Sequence, residues 1–274
     1  MNDTFNFSRF GKYYASDFRN TFNNVWLSVL LYSLTGVIAY FFCGAIRLFV
    51  EGSWGSYGLV GRGITFFIVF YMMIMILPSK SYGYFTAKRQ GEFFSMIPVS
   101  PLEKAVTMIV NMAVIAPAVY VVIALCADAL ICLADPASGE SLVSFISRYF
   151  AKLDFGLNQL KAEEGDLVLS VWQFFAGIVL NVLSWTLSFL IGALYFKKNK
   201  VWMTILVLIL FSMAFSLIFS PIVAYLGEGF LDMVHDSDIN GILNAVMWGG
   251  LAFSTVIILA MMFWVYFRVR TVKR

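Results

Sequence analysis

Few residues of this chain could do chemistry, and most of them sit among apolar neighbours. Asp128 lies within the run "VIALCADALICLA", near its far end. A carboxylate in hydrocarbon costs an isolated helix about 2.5–3.5 kcal/mol, so it calls for a counter-charge or a function. Arg47, at the end of an earlier apolar run, lies at similar depth and is the expected partner in an intramembrane ion pair. A proton- or substrate-handling Asp128 is the sharper reading of the same acid. The lone histidine, His235, stands in "LDMVHDSDING" with Asp232, Asp236 and Asp238. Those types could hold a metal weakly, but solvated loop charge explains them, and no metal site is expected. Cys43, Cys126 and Cys132 lack C-x-x-C spacing and read as buried small hydrophobes, with a disulfide from Cys43 to either of the others as the minority reading. The phosphate loop GxxxxGK[ST], HExxH, GxSxG and paired-cysteine metal spacings do not occur. The chain is not expected to be an enzyme, and no catalytic or cofactor-binding residue is assigned.

The most informative polar segment is Arg89 to Val106, "RQGEFFSMIPVSPLEKAV", which separates two apolar runs. Ser100 to Glu103 reads as a capping box, with Pro101 at the first helical position, where its missing N–H costs nothing. A long helix therefore starts there. Upstream, Gly91 can end a helix, leaving "EFFSMI" as a short helical piece closed by Pro98. That piece would present Phe93, Phe94, Met96 and Ile97 within a rim of Lys88, Arg89, Glu92 and Lys104. Exposed aromatics so rimmed suit a docking knob for a soluble partner, or a patch resting on lipid headgroups.

The elements that must carry these residues are helices in a membrane. Of the 274 residues, 61% are apolar and 13% charged, against roughly 45–50% and about 25% in soluble domains. Stretches near the ~20 residues that cross a bilayer fall at 25–47, 63–80, 105–133, 168–196, 201–226 and 242–267. The expected fold is an all-α integral membrane domain of six spans over residues 1–274. Pro117 and Pro221 should kink spans three and five. Asn111, Gln173 and Asn181 suit helix-to-helix hydrogen bonds. No cleavable signal is visible, because the first 24 residues lack an apolar core of about 7–15 residues.

Charge then orients the bundle. The N-terminal segment, the loops after spans two and four, and the C-terminal tail hold 14 of the 19 basic residues, while eleven of the sixteen acids fall on the opposite side. Basic loops stay inside, so both termini are expected in the cytoplasm. The net charge of +3 is not gathered into a nucleic-acid patch, and no nucleic-acid partner is expected. Before span one, Phe7, Phe10, Tyr14, Phe18 and Phe22 share one helical face and Arg9, Lys12, Ser16, Arg19 and Asn23 the other. Residues 5–24 thus read as an amphipathic elbow helix in the inner headgroup layer, in contact with membrane lipid. Within 134–167, Leu142, Ile146, Tyr149, Phe150, Leu153, Leu157 and Leu160 recur at spacings of three and four, which predicts a second amphipathic helix on the outer side.

The basic residues, the glycine, the apolar turn and "IPVSPLEK" together resemble the cytoplasmic loop of ABC-2 type transporter permeases, with Ile97 where that family commonly has leucine. The amphipathic N-terminal helix, six spans, internal termini and lack of a nucleotide domain are similar too. The resemblance implies that 81–104 is a coupling loop whose coupling helix fits a cleft of a separate ATPase subunit. The implied contact residues are Arg89, Gly91, Glu92, Phe93, Phe94, Met96, Ile97, Pro98, Ser100 and Glu103. It further implies an exporter of the bacterial plasma (inner) membrane, in which ATP is bound by the partner subunit and a second permease subunit completes a homodimer or heterodimer. An ion-coupled carrier or channel using Asp128, and a non-transporting anchor or regulatory protein, are the alternatives.

Overall fold

The computed structural model describes residues 5–52, 54, 58–86, 96–164, 171–235 and 239–271, without the side chains of 154, 156–164, 219, 221–235 and 239–243. Every regular element among them is helical. Six helices or helix pairs among them are long and apolar enough to cross a membrane, which makes this a multi-pass membrane protein by length and composition.

Helix α1 (Phe7–Ser33) starts at Asn6, whose side-chain oxygen accepts from the amides of Ser8 and Arg9 at 3.0 and 3.4 Å. This satisfies two amides that the first turn would leave without partners. The helix does not stop near residue 24. Tyr13, Asp17, Val25, Val29 and Ser33, spaced by multiples of four, form one buried stripe that carries it straight into the first span. The break falls instead at Leu34, ahead of α2 (Thr35–Glu51), which ends on Gly52 at φ 69°, a conformation that favours glycine. Beside the buried stripe, Phe10, Tyr14, Phe18, Phe22 and Trp26 form a ladder of rings with neighbouring centroids 5.8, 6.2, 5.9 and 6.4 Å apart.

Helix α3 (Leu59–Tyr82) begins a turn before the apolar run suggests, so Arg62 lies in its first turn. A 3₁₀ turn, Gly83–Thr86, follows. The third span has three pieces: α4 (Pro101–Ile109), a π-helical stretch Val110–Ile115, and α5 (Ala116–Ala134). The amide of Ala116 bonds the carbonyl of Asn111, five residues back. The expected irregularity at Pro117 therefore takes the form of a widened turn just upstream, where the absent proline N–H removes one α-helical bond. At Pro221 the backbone remains helical.

After a 3₁₀ turn at Pro136–Ser138 come α6 (Leu142–Glu164), α7 (Val171–Tyr195), α8 (Lys200–His235) and α9 (Ile239–Thr271). Helix α7 is central: Leu187, Phe189, Leu190, Ala193 and Leu194 are fully buried, and it packs against α3 and α9. Its Gly192 lets α8 approach closely, because a Cβ there would overlap the Thr204 hydroxyl. Outward faces remain apolar, with Trp202, Phe211, Leu217 and Phe263 exposed, as hydrocarbon surroundings permit.

The cysteines depart from expectation in burial alone. All three are free, Cys43 and Cys132 are half-buried and Cys126 is exposed. On a helix facing lipid, an exposed thiol has no water to meet and incurs little cost.

Contacts define two ends. Asn6, Arg9, Gly83, Thr86, Ser100, Leu194, Lys200 and Arg268 meet at one, here termed the basic end. Tyr40, Trp54, Arg62, Asp128, Asp135 and Glu140 meet at the other, the acidic end.

Candidate functional site

At the basic end the helix starts described above converge on the segment that follows α3. The Ser100–Glu103 capping box is complete: the Glu103 amide donates to Ser100 Oγ at 3.3 Å, and the Ser100 amide donates to Glu103 Oε2 at 3.1 Å. Glu103 is fully buried and does more than cap. Arg9 Nη2 donates to Oε1 at 2.8 Å, Arg9 Nε to Oε2 at 3.0 Å, and the Asn6 amide to Oε1 at 2.8 Å. The start of the third span is thereby fastened to the start of α1 through a bidentate arginine pair, the strongest common form of such contact.

The other stem of the segment is held by α8. Lys200 Nζ donates to the Gly83 carbonyl and, at 2.7 Å, to Thr86 Oγ1, which itself donates to the Phe196 carbonyl at 3.2 Å. A turn deeper, Tyr82 donates to Asp17 Oδ2 at 2.8 Å, and Asn111 Nδ2 reaches the same oxygen at 3.2 Å and the Tyr82 hydroxyl at 3.1 Å. A buried carboxylate on α1 thus joins α3 to the π-helical stretch of span three.

Of the residues expected to couple, Arg89, Gly91, Glu92, Phe93 and Phe94 lie outside the described residues. Met96 is 73% exposed, Ile97 is half-buried against the core, and Pro98 is exposed. Val99, Ser100 and Glu103 are buried. The segment therefore passes within a few residues from an exposed methionine to a fixed helix start.

At the acidic end the ion pair of Asp128 differs from expectation. Its partner is Arg62, at 2.7 Å, with side-chain exposures of only 2% and 6%. Arg47 is exposed. The position of Arg47 on α2 leaves it exposed, whereas the early start of α3 brings Arg62 inward. Arg62 Nη2 also donates to the carbonyls of Ser138 and Glu140 at 2.8 and 2.7 Å, and the Leu142 amide donates to Asp128 Oδ2 at 2.6 Å. Asp128 therefore also caps the start of helix α6. Beside it, Tyr40 donates to Asp135 Oδ2 at 2.8 Å and accepts from Trp54 Nε1 at 3.2 Å. The Trp54 ring lies on Gly44, where a Cβ would overlap it.

Gln173 Nε2 donates to Asn244 Oδ1 at 3.1 Å, joining α7 to α9, while Asn181 is exposed. Among the described residues no group of His, Cys, Asp or Glu could hold a metal ion. Sequence reasoning missed Arg9, Asp17, Tyr82 and Lys200 as network members. No hydropathy signal in the sequence marks any of the four as inward.

No protein-family model, curated protein or solved structure matches this chain.

Proposed function

We propose that this chain is the membrane-spanning subunit of an ABC-2 type exporter, driven by a separate ATPase that binds and hydrolyses ATP. The observation that carries this reading is the bracing of both stems of the 87–99 segment. One stem is tied to α8 through Lys200, and the other to α1 through Glu103, Arg9 and Asn6. A segment whose two stems are fixed would pass a push from a soluble partner on to α1, α8 and the third span together, where loose stems would absorb it. The "EFFSMIPVSPLEK" stretch supplies apolar and charged groups of the kind a partner cleft buries. In this reading the segment, and with it both termini, faces the bacterial cytoplasm, and a second permease subunit completes the translocating unit. Asp128, already bound to Arg62 and the Leu142 amide, serves the architecture rather than a proton path.

The test is co-purification with the product of any ATPase gene found beside this one. Phe93→Asp and Phe94→Asp should leave insertion and yield near wild type but weaken ATPase capture roughly thirtyfold, the equivalent of losing about 2 kcal/mol from a buried aromatic anchor. Wild-type capture by both variants would remove the coupling assignment. Orientation is tested separately in a cysteine-free background. Gln90→Cys and Asn199→Cys should resist an impermeant thiol reagent in intact cells, and Glu140→Cys should react.

A further inference from the structure

Three apolar runs end close together at the basic end: the fourth at 196, the fifth from 201 and the sixth at 267. Residues there stand where hydrocarbon gives way to lipid headgroups, the level that tryptophan and tyrosine favour. Trp264 and Tyr195, 53 and 39% exposed, mark it. The indole Nε1 of Trp264 donates to the Tyr195 hydroxyl at 2.7 Å, and the two rings meet edge to face with centroids 6.2 Å apart.

One turn beyond Trp264, on the same face of α9, is Arg268. Its guanidinium carbon lies 4.5 Å from the centre of the Tyr195 ring, and its Nε donates to the Leu194 carbonyl at 3.3 Å. The ring face and the last turn of α7 thus hold the guanidinium in place. Both Nη atoms keep accessible surface, and no described residue bonds them. The acids placed at this end among the described residues, Asp17 and Glu103, are buried and already bonded elsewhere. Lys197 and Lys198, both exposed, follow Tyr195 within three residues, while Lys200 is engaged with Gly83 and Thr86. An arginine stacked on a ring and tethered through Nε has lost rotamer freedom before any ligand arrives, and its two Nη groups form a fork matched to phosphate oxygens.

We infer that the Arg268 fork binds the phosphate of an anionic phospholipid in the leaflet at the basic end, with Lys197 and Lys198 favouring a net negative headgroup over a zwitterionic one. Cations without acids beside them select the charge of the occupant. The position selects its kind: Phe263 and Phe267, 65 and 50% exposed on α9, lie on the hydrocarbon side of Arg268, where the chains of a lipid held by its phosphate would run. The inference stands apart from the ATPase reading.

The probes are dioleoyl phosphatidylglycerol and dioleoyl phosphatidylcholine, titrated separately against the full chain in nonionic detergent and followed by native mass spectrometry. The glycerol lipid should bind one per chain and about tenfold more tightly than the choline lipid. Arg268→Gln should bring its affinity down to that of the choline lipid. Arg270→Gln removes an equal charge two residues along, on a different face of the helix, and should change the affinity less than about twofold. Inorganic phosphate should leave the bound lipid in place. Equal affinity of the parent chain for the two lipids would overturn the inference, as would displacement by phosphate, which would make the ligand a free anion. Equal losses in the two variants would also overturn it, by showing diffuse attraction to a basic surface. Should Arg268→Gln fold poorly, Arg268→Lys keeps the charge without the fork, and glycerol-lipid affinity equal to that of the parent chain would again overturn the assignment.

Discussion

The two ends of the bundle use ion pairs differently. At the acidic end, Arg62 and Asp128 are both out of reach of solvent and engage carbonyls and an amide of the chain that follows. At the basic end, Glu103 is equally buried, but its partner Arg9 keeps 30% of its side chain exposed. Asp17 beside it is held by a tyrosine and an asparagine rather than by a cation. Removing one member of a buried charged pair strands the other, whereas at the basic end only the arginine can swing into water, and the Asn6 and Ser100 amides go on holding the buried carboxylate. One end is therefore a fixed joint, and the other can rearrange under load.

The comparison breaks most visibly at Arg62. Arg62→Leu should cost about 3–5 kcal/mol, because Asp128 is left as an uncompensated buried charge. Arg47→Leu should stay within about 0.5 kcal/mol, as for an ordinary exposed site. Denaturant unfolding of the purified protein in mixed micelles measures both, and similar losses would return Asp128 to the partner that its depth alone suggests.

A smaller effect is expected at the basic end. Glu103→Ala leaves the amides of Asn6 and Ser100 without an acceptor and should cost about 1–3 kcal/mol, while Arg9→Gln should cost less, because those two amides still hold the carboxylate. Trypsin cleavage after Lys12 should accelerate in Glu103→Ala, reporting release of the α1 start. A loss at Arg9 equal to that at Glu103 would make this end as fixed as the other.

The smallest effect concerns pH. The Tyr40 hydroxyl, donating to Asp135, holds that carboxyl below its ordinary value, helped by Ser138 and the Ala137 amide against partial burial. A depressed value means that the contribution is present above about pH 4, the unfolded range, and fades as pH falls through the folded value. Melting temperature should therefore drop less between pH 5 and pH 3 in Tyr40→Phe than in the parent chain. An equal drop would detach Asp135 from this network.

Local signals were legible and lateral ones were not. Ser100, Pro101 and Glu103 form a cap within four residues, so their bonding follows from spacing alone, and the apolar runs reveal the membrane helices by length. Which arginine meets Asp128 depends on rotation about the helix axis. The apolar run begins at Gly63, but the helix begins at Leu59, and those four residues carry Arg62 from a loop into the bundle. Asp17 escaped notice because its stripe mixes Tyr13, Val25 and Ser33, so no hydropathy pattern marks it as inward. The break at Leu34 carries no proline and is likewise silent in composition.

The Arg62–Asp128 joint also bears on how the chain enters the bilayer. Its members lie 66 residues apart, and the arginine emerges from the ribosome first. Until the acid follows, α3 carries a cation with no counter-charge, and its long side chain can wait at the interface by reaching toward headgroups. Neutralisation comes only when the third span arrives. The order of synthesis thus favours insertion of α3 and the third span as a hairpin, with α6 gaining its first-turn acceptor once that hairpin has closed.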